Sequence, residues 1–419
     1  MTAGLSFLAL LAIGAPIAFA MVAAALILIV DQGDTALLQG FAQQLFAGIE
    51  SYGLLSLPLF ILLGELMGAG GIGRRLLALA QALIWPVRAG LAHVNLLANL
   101  MMASILGSTV AQLTVMTRLA VPEMERAGYP RDLAATVTAA GGLLAPVLPP
   151  SMNLIVYATI AQVPVGDIFV ASVIPGLALA AAFALVIAWL GWRHDLPRVP
   201  RQTAGARMRA VTDALPALLV PAIAVGSIIG GIATPTEAAA VASVAAMLVG
   251  GLVYRDLRLG DLPAAFIRTA VTSGAVLYLV AAAQVLAWVL TFGNLPAQTA
   301  AWVQDMAATP LMFLILLNLL LLVLGTVLEP IPAIILTAPV LLPIATGVYG
   351  IDPLAFGVIL CANLALGLLS PPVGAGLFTA SLLTGVRAER LSWLLMPFFT
   401  AMLAVLAGMS VVAAFHAGA

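Results

Sequence analysis

The sequence predicts an all-α polytopic membrane protein. Its plan is two inverted-topology repeats, each holding a re-entrant helical hairpin and a broken helix. Three observations carry this. Of 419 residues, 63% are hydrophobic and 8% charged, with a mean hydropathy of +1.18. The 16 basic residues are all Arg, and they gather on one side of the layout derived below. Prolines recur in the two halves at a near-constant offset. A soluble chain carries about 25% charged residues, so this composition excludes a soluble enzyme, a nucleic-acid binder and a disordered chain. The lipid bilayer is its first partner. The single Cys361 excludes an internal disulfide and a cysteine metal cluster.

A membrane helix needs about 20 mostly apolar residues. Such runs lie near 4–30, 54–70, 132–162, 168–192, 213–231, 236–254, 264–292, 352–384 and 390–415. The first is too long for a signal-peptide core and lacks a charged n-region, so it reads as one retained span. The stretches 92–121 and 309–348 differ. Each has a Gly–polar break near its middle, at Gly107-Ser108-Thr109 and at Gly325-Thr326 through Glu329-Pro330. Each is too long for one span and has no loop to separate two. They read as re-entrant hairpins, whose irregular backbone is tolerated at depth only against protein or a cavity.

Arg collects in cytoplasmic loops. Segments 71–90, 126–131, 193–212, 255–263 and 385–390 hold nearly all of it, while the intervening loops 31–53, 163–167, 232–235, 293–308 and 349–351 hold none. This places the N-terminus in the cytoplasm, the C-terminus in the periplasm, and the two hairpins on opposite faces. Arg118 alone stands apart, on the returning limb of the first hairpin.

Leu148-Pro149-Pro150 matches Ser370-Pro371-Pro372 at an offset of 222, and Pro175 matches Pro397 at the same offset. Similar units in opposite orientations are a signature of secondary transporters, whose sites sit near the midplane among broken helices. Paired proline opens a helix by removing an N–H and blocking the carbonyl four residues back. Ser151 and Asn153 follow the first pair, and Gly374 follows the second. A cation or substrate site is one reading of these breaks, and a simple kink is the other. The tip residues Gly107, Ser108, Thr109, Gly325 and Thr326 read either as site residues or as small residues for close packing. Glu329 is an acid at membrane depth; it either serves a proton, a cation or the tip, or is satisfied by amides at the following helix start. Arg118 either snorkels to the interface or pairs with a substrate carboxylate. Thr234-Pro235-Thr236-Glu237 reads as a helix start. The three His have no metal-ligand spacing, and neither a phosphate loop nor a catalytic triad is recognisable. The chain therefore reads as no enzyme and needs no organic cofactor.

Certain motifs go further. Gly71-Ile72-Gly73-Arg74-Arg75, Gly90-Leu91-Ala92-His93-Val94-Asn95, Thr234-Pro235-Thr236-Glu237-Ala238-Ala239-Ala240, and Asn363 through Gly374 (Asn-Leu-Ala-Leu-Gly-Leu-Leu-Ser-Pro-Pro-Val-Gly) resemble the large membrane subunit of tripartite ATP-independent periplasmic (TRAP) transporters, the DctM type. The resemblance covers nearly the whole chain. It implies an elevator-type transporter of the bacterial inner membrane that couples sodium to uptake of an organic acid. It also implies two partners, a periplasmic solute-binding protein and a small four-helix membrane subunit. The units 92–192 and 309–415 would form the transport body, and 1–90 with 213–292 mainly scaffold and arm helices. By motif, one Na+ site would use Gly107, Ser108, Pro149 and Pro150; the other would use Gly325, Thr326, Ser370, Pro371, Pro372 and Gly374. Thr109, Ser151, Asn153, Glu329 and Arg118 are the substrate candidates. Where the family usually has Asp at the first and second hairpins, this chain has Gln112 and Glu329. The competing reading is a binding-protein-independent, proton-coupled anion carrier of related fold.

Overall fold

Backbone polar groups have no water to bond in a bilayer, so apolar stretches close their hydrogen bonds internally as helices. In the computed structural model, which describes residues 2–33, 35–84, 87–194, 196–198, 203–293, 295–371 and 374–418, that is the outcome. The helices are α1 (Thr2–Ala12), α2 (Ile17–Gln32), α3 (Leu37–Ala47), α4 (Ser56–Ala69) and α5 (Ile72–Leu83). The first repeat follows as α6 (Gly90–Leu106), α7 (Thr109–Arg126), α8 (Arg131–Gly142), α9 (Met152–Ala161) and α10 (Val165–Arg193). Next come α11 (Ala204–Pro221), which passes through a π-helical stretch into α12 (Ser227–Ile229), then α13 (Pro235–Leu248), α14 (Leu262–Phe292) and α15 (Leu295–Met306). The second repeat is α16 (Pro310–Val327), α17 (Pro330–Gly347), α18 (Pro353–Leu368), α19 (Ala375–Thr384) and α20 (Ala388–Ala417). Among the described residues seven helices are long and apolar enough to cross a membrane, or up to eight if the bent pair α4–α5 counts as one.

The repeats align element by element. Arg131 and Pro353 open α8 and α18, Met152 and Ala375 open α9 and α19, and Val165 and Ala388 open α10 and α20, at offsets of 222, 223 and 223. Packing follows the same symmetry. Each hairpin packs on the first half of its own broken helix, α6 and α7 on α8 and α16 and α17 on α18. The returning limb of each hairpin also packs on the second half of the other repeat's broken helix, α7 on α19 and α17 on α9. Helices α10 and α20 meet along their length, with Phe183 and Phe398 edge-to-face at 5.5 Å. Tyr157 of α9 bridges the repeats, donating its hydroxyl to the Pro353 carbonyl at 2.6 Å while its ring lies over Gly357. A second group, α2, α4, α5, α11, α13 and α14, packs mainly within itself and touches the repeats through α4, α5 and α14.

The segments carrying Arg meet one another. Arg207 donates to the Ala82 carbonyl and Tyr129 to the Pro197 carbonyl. Arg268 pairs with Glu65 at 2.7 Å, and Arg390 with Asp132 at 3.1 Å. Arg131 donates to the Thr384 carbonyl at 2.6 Å. The densest cluster lies where α4 bends by 71° into α5. Arg74 and Arg75 both pair with Asp256, and Arg75 lies 3.7 Å over the Tyr254 ring. Gly71 turns the corner in the left-handed region (φ 68), and a Cβ there would stand 2.3 Å from the Asp256 carboxylate. The hydrogen bond from Arg75 is the main cause holding the Asp256 carboxyl below the usual carboxylate range. A lowered value means that the pairing stabilises above the ordinary carboxylate pKa and is lost as pH falls through the shifted one. Acidification below that range should therefore lower the melting temperature of the purified protein, and Asp256→Asn should flatten that part of the pH profile. A half-buried pair at the surface contributes about 1 kcal/mol, so a shift of a few degrees is the scale.

One span is corrected. The run 4–30 is not a single crossing: α1 turns back at Gly14 (φ 82) and packs on α2, and the Thr2 hydroxyl bonds to Asp31. Thr2 thus lies at the Asp31 end. If the loop after α2 is outer, as the Arg pattern has it, Thr2 is outer too, opposite to the expected cytoplasmic N-terminus. Helices α3, α5 and α15 lie in segments expected only as loops.

Candidate functional site

Four helices end at the centre of the repeats and four begin there. The ends of α6, α8, α16 and α18 leave carbonyls without intrahelical partners, and the starts of α7, α9, α17 and α19 leave amides. The N-caps of those four starting helices are Ser108, Ser151, Glu329 and Gly374, and none makes a side-chain capping bond. Away from the centre, Thr203, Thr234, Thr309 and Asp352 do cap their helices, Thr234 in a full capping box with Glu237. The central termini thus keep amides free of side-chain caps, as the starts after Pro16, Pro130 and Arg387 also do. Helix starts favour anions, and helix ends favour cations.

The first hairpin is seated on the first break. Gly107 ends α6 in the left-handed region (φ 58), and a Cβ there would stand 3.0 Å from the Pro150 carbonyl oxygen and 3.1 Å from the Met152 nitrogen. Ser151 is buried and donates to the Pro146 carbonyl at 2.8 Å. The second hairpin is seated likewise. The Gly374 amide donates to the Thr326 carbonyl at 2.9 Å. A Cβ on Gly374 (φ 36) would lie 2.6 Å from the Ser370 carbonyl oxygen and 3.1 Å from that of Leu368. The carbonyls of Leu368 and Ser370 therefore crowd one point, oxygen ligands of the kind that suit a bare monovalent cation, while that of Thr326 accepts from the Gly374 amide. Ser370 and Thr326 spend their hydroxyl protons on the Leu366 and Val323 carbonyls, at 2.9 and 2.7 Å. Pro149 is buried in the first break, Pro371 is exposed, and Pro372 lies outside the described residues.

The second tip is not where the Gly–Thr pair suggested. The turn falls at Leu328-Glu329, and Gly325 sits inside α16. A Cβ on Gly325 would stand 3.0 Å from the Gly367 Cα, so this glycine lets α16 and α18 cross closely.

Between the two tips is a small cavity of about 50 Å³. Ser108, Thr109, Asn153 and Glu329 supply its polar lining, with Val110, Pro146, Ile331 and Leu368 among the apolar residues. The structure thus brings together both hairpins and both repeats at one point. Thr109 is only 3% exposed, and its hydroxyl oxygen has no partner. Glu329 is exposed, and its carboxylate does not cap α17, so the amide-satisfied reading of that acid is not realised. Arg118 is exposed on α7 outside this lining and makes no hydrogen bond or ion pair among the described residues.

Sequence reasoning missed the joints that amides make behind the hairpins. Gln112 donates to the Asn99 carbonyl and side chain at 2.9 and 2.8 Å and to the Gly141 carbonyl at 3.2 Å. In the second repeat Asn363 donates to the Asn318 carbonyl and side chain at 2.9 and 2.7 Å. Gly141 and Asn363 each stand eight residues before the first proline of their pair, so the two joints occupy equivalent places. Only the alignment of the two proline pairs could have drawn attention to them.

Residues 5–415 match the family described as tripartite ATP-independent periplasmic transporter, DctM component. The chain belongs to the DctM family. This DctM chain is 36% identical over 366 residues to the 2,3-diketo-L-gulonate TRAP transporter large permease protein YiaN of Escherichia coli, covering 87% of this chain and 85% of that one. It is 37% identical over 348 residues to the C4-dicarboxylate TRAP transporter large permease protein DctM of Pseudomonas aeruginosa, covering 83% and 81%. It is 33% identical over 401 residues to the sialic acid TRAP transporter large permease protein SiaM of Vibrio cholerae, covering 96% and 93%. These relatives are permeases, not enzymes. The crystal structure of the Alcanivorax borkumensis YdaH transporter, described as having an unusual topology, shares the fold with a TM-score of 0.66 at 16% identity, covering 92% of the DctM chain and 90% of that one.

Proposed function

We propose that this chain is the large permease subunit of a sodium-coupled importer of an organic acid, working by an elevator mechanism. The observation that carries the reading is the meeting of two hairpin tips and two broken helices around one cavity, with uncapped helix starts beside crowded carbonyls. The uncapped amides suit a carboxylate. The Leu368 and Ser370 carbonyls converging beside Gly374 suit one sodium ion, and the Pro150 carbonyl facing Gly107 would contribute to a second site. The repeats would move as one body, since their hairpins pack across onto each other's broken helices. The group formed by α2, α4, α5, α11, α13 and α14 would be the scaffold and arm.

The family's members named above are large permeases of TRAP systems. A periplasmic binding protein and a small four-helix membrane subunit are accordingly proposed as partners, in the bacterial inner membrane with the Arg-bearing segments cytoplasmic. The relatives' names include both a C4-dicarboxylate and sialic acid, so membership leaves the particular acid open.

Two sodium ions entering with one monoanion would move one positive charge, giving about 2.3 kcal/mol at 100 mV. Tenfold sodium gradients add about 1.4 kcal/mol per ion, so the total of about 5 kcal/mol supports three to four decades of accumulation.

The test is uptake into proteoliposomes holding this chain, its small subunit and its binding protein. Acid should accumulate with an inward sodium gradient and fail to do so without sodium. Equal uptake in sodium-free buffer under a proton gradient would instead select the proton-coupled carrier, for which Glu329 in the cavity is the one favouring feature.

A further inference from the structure

The central cavity is chemically lopsided. On the hairpin-1 side stand groups able to donate: the uncapped start of α7, the Asn153 side-chain amide and the Thr109 hydroxyl, the last buried and unpartnered. On the hairpin-2 side stands an acceptor, the Glu329 carboxylate. The start of α17 does little to neutralise it, because Pro330 and Pro332 remove two of its first three amides and Glu329 itself makes no capping bond. No Arg, Lys or His lines the cavity.

Resting on the transport reading, we propose that the substrate is a monocarboxylate bearing a hydroxyl or ammonium donor, and that a simple dicarboxylate is rejected. The carboxylate binds at the donor side, on the α7 amides and the Thr109 hydroxyl. The donor at the other end of the ligand meets Glu329. A second carboxylate at that place faces a like charge with no basic side chain to offset it, and meets an acceptor where it needs a donor. Discrimination here arises as much from repulsion of the wrong ligand as from attraction of the right one. A charge-assisted hydrogen bond is roughly twice as strong as a neutral one, which sets the scale at about tenfold in affinity.

The test uses the purified full chain in sodium buffer and four probes: lactate, glycine, propionate and succinate. Dissociation constants are read from ligand-induced shifts in melting temperature. Lactate or glycine should bind at least about tenfold more tightly than propionate and succinate. Glu329→Gln should remove most of that preference by weakening the donor-bearing acids and strengthening succinate. Thr109→Val should weaken all the acids that bind by a similar factor and leave their order unchanged. Succinate binding best to the unaltered protein would overturn the proposal. So would an unchanged rank order in Glu329→Gln, or an effect of that variant confined to the sodium dependence, which would make Glu329 a cation ligand. Binding of no acid with or without sodium, together with absent uptake, would overturn the transport reading itself, a result distinct from a reversed preference.

Discussion

Gly357→Ala should destabilise the protein more than any other single methyl addition in the repeats. A Cβ at this position would stand 2.1 Å from the Tyr157 ring. That ring cannot easily give way. Its hydroxyl is tied to the Pro353 carbonyl at 2.6 Å, it is fully buried, and Phe356 packs beside it with ring centroids 6.2 Å apart. Overpacking a tight core costs typically about 1–3 kcal/mol, and this contact belongs at the upper end of that range. Melting in detergent should fall accordingly. Tyr157→Phe provides the comparison, since it keeps the ring and loses only the hydroxyl bond, at about 1 kcal/mol. In a Tyr157→Ala background, where the ring is gone, the added methyl of Gly357→Ala should cost less than it does in the parent. A Gly357→Ala protein as stable as the parent would show that α9 and α18 are not locked together at this joint.

Gly374→Ala should weaken sodium activation of transport at least about tenfold while the protein still inserts and folds. Gly374 sits at φ 36, and its missing side chain leaves the space in which the Ser370 and Leu368 carbonyls converge. A left-handed residue costs alanine about 1–2 kcal/mol, and the methyl would press on a backbone oxygen 2.6 Å away. The backbone must shift, and the carbonyls with it. Sodium activation should then need at least about tenfold more sodium, the factor that 1.4 kcal/mol carries. Stability should fall by less than in Gly357→Ala, because Pro371 beside the break is already exposed and the segment can adjust. Unchanged sodium activation would remove this carbonyl cluster from the list of cation sites.

Much of the architecture was readable because prolines and Arg leave marks that do not depend on tertiary context. Pro149-Pro150 and Pro371-Pro372 open helices wherever they stand, and Arg chooses a side of the membrane. The paired hairpins and broken helices follow from those two rules. The fold-back of α1 on α2 was not readable, since two short apolar helices and one long one share a composition, and only Gly14 marks the turn. The second tip was misplaced for a related reason. Glycine serves both turns and close helix crossings, and Gly325 serves a crossing with Gly367. At the site, Ser108, Thr109, Asn153 and Glu329 were legible as polar residues at breaks. That they share one cavity was not, because their meeting depends on contacts between repeats more than 200 residues apart. Arg118 was legible only as an exception. Gln112 was legible only as a departure from the family's usual acid and Asn363 only as the start of a family motif; their pairing with Asn99 and Asn318 was not, as single amides in apolar runs have no period to betray them.

The fastening of Arg131 and Asp132 to Thr384 and Arg390 bears on how the protein is made. These partners are separated by 253 and 258 residues. At about 5–20 residues per second of synthesis, the head of α8 waits roughly 13 to 50 s for the segment that completes it. Throughout that interval the first hairpin is in the membrane with its own broken helix but without α19, against which α7 finally rests. The nascent chain must therefore hold a half-built, lipid-exposed hairpin until its second half emerges, which makes the emergence of residues 375–390 the step at which this joint is sealed.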